Sequence, residues 1–203
     1  MQHVRRSGID RRTFLKAGLA QFQASHGVAA ISVTTHGASA VGLDVTGAAL
    51  PMLDYEYDFA EPGYEALRPD FAETGSPRLG MGLNLGAQLA WLATRPEWRP
   101  AHILTYPGYW GYLLTGEMSC DVTSLGCHTD LWAPREGRWS SLVERLGLGA
   151  VLAPARLPDE VLGQVSSALA AETGIVDKII YLKAFGLDFG INFFRCRLFR
   201  QVF

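Results

Sequence analysis

The sequence predicts an α/β domain, a mixed sheet with flanking helices. Two observations carry that expectation. Segments with helical periodicity alternate with short aliphatic and β-branched runs. Glycine and proline punctuate the joints between them. At 203 residues the chain is long enough for one sizeable core, and its 48% hydrophobic content is ordinary for a globular domain.

Leu15, Leu19 and Phe22 recur at helical spacing behind Asp10, a good capping residue, and predict a helix over about 11–24. The same stretch contains Arg11-Arg12-Thr13-Phe14-Leu15-Lys16, similar to a twin-arginine export signal. Gln21, Gln23, Ser25 and His26 interrupt the apolar run such a signal needs, so an amphipathic helix is the preferred reading. A strand is expected over about 28–35, followed by a turn on His36-Gly37 and a hairpin through Asp44-Val45-Thr46-Gly47. An acid-aromatic-acid cluster, Asp54-Tyr55-Glu56, follows. Loop and short helix are expected from about 62 to 78, then a stronger helix over about 83–95 with Leu85, Leu89 and Leu92 on one face. A short strand, about 102–106, precedes a helical turn opened by Pro107. Ser141 and Glu144 have capping-box spacing for a helix carrying Leu142, Val143 and Leu146. A last helix, about 163–173, stops at Gly174.

Net charge is −2, which gives no electrostatic basis for binding nucleic acid or an anionic membrane surface. No apolar run reaches the roughly 18 residues of a membrane-spanning helix. Cys120, Cys127 and Cys196 are odd in number and unevenly spaced, which points to a reducing compartment, the cytoplasm, rather than a disulfide framework. Cys120, Cys127 and His128 fit no common zinc spacing, and His128 is expected to order its loop. Gly80-Met81-Gly82 and Gly86 lack the spacing and the Lys-Ser/Thr of a nucleotide loop.

The candidate site lies at two strand ends. A glycine after a strand lets the backbone approach a ligand, and the polar groups of His36, Gly37, Asp54, Tyr55 and Glu56 could converge on one polyol. From the residues alone, a histidine such as His36 at a strand end is more often a satisfied structural group than a ligand, and the two acids could be a solvated loop.

Composition shifts after Gly174. Of three lysines in the chain two lie beyond it, as do six of ten phenylalanines and four of seven isoleucines. Either a hydrophobic terminal element of the same domain or a junction with foreign sequence explains this, and the second is preferred.

Several further segments, in order, carry a family resemblance. They are Leu89-Ala90-Trp91-Leu92 with Pro96-Glu97; Ile103 to Trp110 leading into Leu113-Leu114-Thr115-Gly116-Glu117; Asp121 to Trp132; Trp139-Ser140; Leu146-Gly147-Leu148; and Thr173-Gly174-Ile175. Together with the His36-Gly37 turn this order resembles the sugar-binding domain of FGGY carbohydrate kinases. The resemblance implies an actin-like, ribonuclease-H-like ATPase fold of two domains. Sugar would lie in the cleft, and ATP and Mg²⁺ would be held mostly by the other domain. An aspartate would take the proton of the attacking hydroxyl. It also implies that His36, Gly37, Asp54, Tyr55 and Glu56 line the sugar cleft.

The chain departs from the family pattern in several places. The Asp-x-Gly-Thr phosphate loop expected before the first helix and the catalytic aspartate expected after Gly174 are not seen. The W-x-D-x-R pattern is missing near Asp54, and Trp110-Gly111 stand near the point where many members carry a lysine. Gly186-Leu187-Asp188-Phe189-Gly190-Ile191-Asn192 looks like the phosphate loop at the wrong end, with Ile191 where the family has threonine, so Asp188 is not expected to be catalytic. The expectation is therefore an incomplete N-terminal, sugar-binding domain over 1–176 with an atypical tail over 177–203. No catalytic residue, metal ligand or nucleotide site is expected in this chain. A non-catalytic sugar-binding or regulatory module is the alternative.

Overall fold

The computed structural model describes residues 11–56, 63–182 and 190–194. Helix α1, Arg11–His26, buries Leu19 completely and ends at Gly27, whose φ of 68° turns the chain. Asp10, the expected cap, lies outside the described residues. Strand β1, Ala30–Thr34, follows at once, with Ile31 and Val33 fully buried.

Next come β2, Ala40–Leu43, then two short helices, α2 (Tyr64–Leu67) and α3 (Phe71–Thr74). Between β2 and α2, Asp44 holds the expected turn by accepting bonds from the Thr46 and Ala48 amides at 2.8 and 3.0 Å. Helix α4, Leu85–Ala93, buries the expected face of Leu85, Leu89 and Leu92. Strand β3, His102–Thr105, runs straight into α5, Tyr106–Thr115, with Pro107 in its first turn as expected. The chain continues through β4 (Cys120–Asp121), α6 (Val122–His128), β5 (Trp132–Ala133) and β6 (Arg138–Trp139). It closes with α7 (Ser141–Arg145), β7 (Ala155–Arg156), β8 (Val161–Gln164), α8 (Ser167–Thr173), β9 (Ile179–Leu182) and β10 (Gly190–Phe194).

The main sheet has the order β10-β1-β9-β8. β1 is parallel to β9, with Ile31 opposite Ile180, and antiparallel to β10. A second ladder pairs β2 with β3 antiparallel, Val41 opposite Leu104. Two cores result. One joins Leu19, Val28, Ile31, Val33, Leu114, Leu169 and Ile180 under α1 and α8. The other joins Val41, Leu43, Leu85, Leu89, Ile103, Leu104, Leu125 and Leu142. Helix α5 bridges them, because Leu114 faces the first while Tyr106, Tyr109 and Tyr112 pack on the second.

Two expectations change, and part of the segment with shifted composition pairs in the sheet. Residues 179–182 and 190–194, from the segment with shifted composition, form strands on both sides of β1, and Ile180 is fully buried. The segment of shifted composition thus contributes strand pairings to the sheet. The capping box at Ser141 does not form. Ser140 is the N-cap, and the Ser141 amide and hydroxyl donate instead to Glu73 at 2.6 and 2.8 Å. The last helix is shorter than expected, since Val161–Gln164 pairs with β9, but it ends at Gly174 with φ 71° as its sequence predicts.

Candidate functional site

The site is built where β1 runs out. After Thr34 the chain turns through His36 and Gly37, and Ala38 takes a left-handed φ of 50°. A non-glycine residue holds that conformation only when its surroundings fix it. Here Gln88 of α4, 2% exposed, donates to the Ala38 carbonyl at 2.6 Å and to the Gly82 carbonyl at 2.5 Å. Gly82 in turn donates its amide to the Tyr55 carbonyl at 2.9 Å. One buried amide side chain thus ties together the turn after β1, the loop before α4 and the segment carrying Tyr55.

His36 lies against two tyrosine rings. Tyr55 lies 5.1 Å away and Tyr106 4.8 Å away, both tilted, and Trp110 meets Tyr106 edge-on at 6.1 Å. The His36 Nδ1 sits 2.7 Å from the Gly37 carbonyl. A carbonyl only accepts, so Nδ1 carries the proton. His128, the last residue of α6, approaches the same turn. Its Nδ1 donates to the Leu83 carbonyl at 2.5 Å, which matches its expected role of ordering a loop, and its own carbonyl accepts from Asn84 Nδ2 at 3.2 Å.

Of the five residues expected to form the site, His36, Gly37 and Tyr55 come together. Asp54 and Glu56 stand apart from them. Both are exposed, and Asp54 Oδ1 accepts from the Glu56 amide at 2.9 Å, closing its own turn. The ring between the two acids, not the carboxylates, reaches His36. Sequence reading missed Tyr106, which looks like one more helix residue next to Pro107, and Gln88, which looks like a polar interruption of an apolar helix.

A buried charged network is centred on Asp130, two residues beyond His128. The Asp130 carboxylate, 0% exposed, accepts from Arg68 Nε and Nη2 at 3.1 and 3.0 Å and from the Tyr64 hydroxyl at 2.5 Å. The Asp130 amide donates to Ser76 Oγ at 3.0 Å, and Ser140 Oγ donates to its carbonyl at 2.6 Å. Burial, then the hydrogen bond to Asp130, pushes the Tyr64 phenol far above its ordinary range. Gly86 makes room for this, because a Cβ there would stand 2.7 Å from the Tyr64 hydroxyl and 2.8 Å from the Thr129 carbonyl.

Among the described residues no group of three His, Cys, Asp or Glu side chains could hold a metal ion. Cys120 is buried, and burial pushes its thiol up to about 12, whereas Cys127 is exposed. Cys196 and Asp188 lie outside the described residues. No helix among the described residues is long and apolar enough to cross a membrane.

Comparison with protein-family models gives no match, and comparison with curated protein sequences gives none either. Solved structures do match. A carbohydrate kinase from Novosphingobium aromaticivorans superposes with a TM-score of 0.75 and 37% identity, over 84% of this chain and 38% of that one. Ligand-bound xylulose kinase from Lactobacillus acidophilus gives a TM-score of 0.70 at 17% identity, over 84% of this chain and 37% of that one. Plasmodium falciparum glycerol kinase gives 0.67 at 15%, over 84% and 38%. The chain therefore spans well under half the length of the kinases it matches, and its mixed α/β architecture is part of their actin-like ATPase fold. Over the matched 84% of its residues, the chain is similar to the carbohydrate kinases.

Proposed function

We propose that the whole protein to which this sequence corresponds transfers a phosphoryl group from ATP to a hydroxyl of a ketose or related polyol, and that this chain supplies much of the sugar-binding domain. The observation that carries this reading is the match to the Novosphingobium carbohydrate kinase at 37% identity. The cluster at the end of β1 supports it. Aromatic faces suit the C–H surface of a sugar, and imidazole nitrogens and backbone carbonyls suit its hydroxyls. On this reading His36, Gly37 and Tyr55 contact the sugar directly, with Asp54 and Glu56 at the rim.

The described residues do not fit the rest of the chemistry. They contain no cluster suited to Mg²⁺, and the Gly80-Met81-Gly82 loop is engaged with Tyr55 and Gln88 rather than open to phosphate. Nucleotide and metal would be held by other residues. Titrating the chain with D-xylulose, D-ribulose, D-gluconate, glycerol and ATP, followed by NMR, tests the reading. The expected result is millimolar or weaker sugar binding, reduced by roughly 1–3 kcal/mol in His36→Ala. ATP binding tighter than that of every sugar, or sugar binding indifferent to His36, would refute it.

A further inference from the structure

The turn at Gly37 faces a second imidazole. An ideal Cβ built on Gly37 would stand 3.6 Å from Nε2 of His128 and 3.8 Å from its Cε1. That is ordinary van der Waals contact, so the absence of a side chain at 37 does not relieve a clash. It leaves a gap about one methyl wide along the Nε2 edge of His128. Gly37 and His128 are both partly exposed.

The tautomer of His128 follows from its other nitrogen. Nδ1 lies 2.5 Å from the Leu83 carbonyl, which can only accept, so Nδ1 carries the proton. In a neutral ring Nε2 is then an acceptor. The backbone that carries the ring is also held. Asn84 Nδ2 binds the His128 carbonyl at 3.2 Å, the Gly86 amide binds the Thr129 carbonyl at 2.8 Å, and Asp130 is locked by Arg68 and Tyr64. A pre-positioned acceptor loses little entropy when it binds, which is how a site reads a hydroxyl with specificity.

We infer that His128 is a sugar-binding residue whose Nε2 accepts a hydrogen bond from a hydroxyl of the polyol lying over Gly37, and that Gly37 keeps that edge open. This inference rests on the sugar-binding reading above. It assigns a residue from α6, about ninety positions from the His36-Gly37 turn, to selection among polyols by the hydroxyl they present at that point.

Two variants separate this role from loop ordering. In His128→Asn the side-chain amide can still donate to the Leu83 carbonyl from near the Nδ1 position, but the Nε2 acceptor is gone. Gly37→Ala leaves His128 intact and fills the gap. Each should weaken binding of the best probe among D-xylulose, D-ribulose, D-gluconate and glycerol by about tenfold or more, with an unchanged melting temperature. If either variant is unstable, ¹⁵N spectra of the wild-type chain still decide. Adding that probe should shift the Nε2 resonance of His128 while its Nδ1 resonance stays put, which a purely loop-ordering histidine would not show. Binding that is lost in His36→Ala but unaltered in His128→Asn and Gly37→Ala, or an unmoved Nε2 resonance in the saturated wild type, overturns this inference alone. Failure of the wild-type chain to bind any probe overturns it together with the sugar-binding reading.

Discussion

Replacing Asp130 with asparagine should destabilise the fold more than any exposed substitution and should disorder the site with it. The carboxylate is 0% exposed and its Arg68 partner 7%, so neither charge has water to fall back on. The asparagine side chain would keep the size and one carbonyl acceptor, but the Arg68 guanidinium would lose its counter-charge. Breaking a buried pair from one side costs about 3–5 kcal/mol, because the remaining ion stays desolvated. For a chain of this size each kcal/mol is worth about 2–4 °C, so the melting temperature should fall by roughly 6–20 °C.

Two controls locate the cause. Tyr64→Phe removes one charge-assisted hydrogen bond and leaves the ion pair, so it should cost only about 1.5–3 kcal/mol. Removing both charges, as Arg68→Met with Asp130→Leu, should be less harmful than Asp130→Asn alone. Urea unfolding followed by tryptophan fluorescence and circular dichroism measures all three. A loss below about 1 kcal/mol for Asp130→Asn, or a double variant worse than the single one, would refute the view that the pair is held dry. Because His128 is two residues away and tied to the same segment, its Leu83 bond should weaken in Asp130→Asn, visible as a shifted Nδ1 resonance.

Two other predictions concern the frame around the site. Burial alone would raise the Glu73 carboxyl, but bonds from the Ser141 amide and hydroxyl outweigh it and hold the group below its ordinary range. A depressed folded value means stability that is present above the unfolded value and lost as pH falls through the folded one, so Glu73→Gln should cost about 0.5–1 kcal/mol at neutral pH, a figure kept small by solvent screening. The difference from wild type should close on acidification, and a difference that is constant with pH would count against the cap. Truncation after residue 176 removes β9 and β10, unpairs β1 on both sides and deletes the fully buried Ile180. It should cost well over about 2 kcal/mol, and a truncated chain with an unchanged melting transition would show that the two strands contribute nothing.

Local structure was legible in the sequence wherever its cause is local. Leu85, Leu89 and Leu92 at helical spacing, Pro107 in the first turn of α5, the Asp44 turn and Gly174 at a helix end act within a few residues of themselves, and each stands where its chemistry predicts. The turn after β1 and the ordered family resemblance were legible for the same reason, since they are short segments read in place. Tertiary structure decided the rest. Ser141 and Glu144 have the spacing of a capping box, but a carboxylate 68 positions away reaches the amide first. The segment after Gly174 looks foreign by composition, yet residues 179–182 pair in parallel with β1, a pairing across about 150 positions that no local pattern announces. Asp54 and Glu56 flank Tyr55 in sequence, but the three residues form a turn in which Asp54 accepts from the Glu56 amide, both acids are exposed and the Tyr55 ring meets His36. Nothing near Gly37 in the chain announces His128, because the links between them are long-range: Gln88 of α4 holds the turn after β1, and Leu83 and Asn84, just ahead of α4, hold His128. Pairings across that much chain depend on packing, and packing is a property of the folded whole.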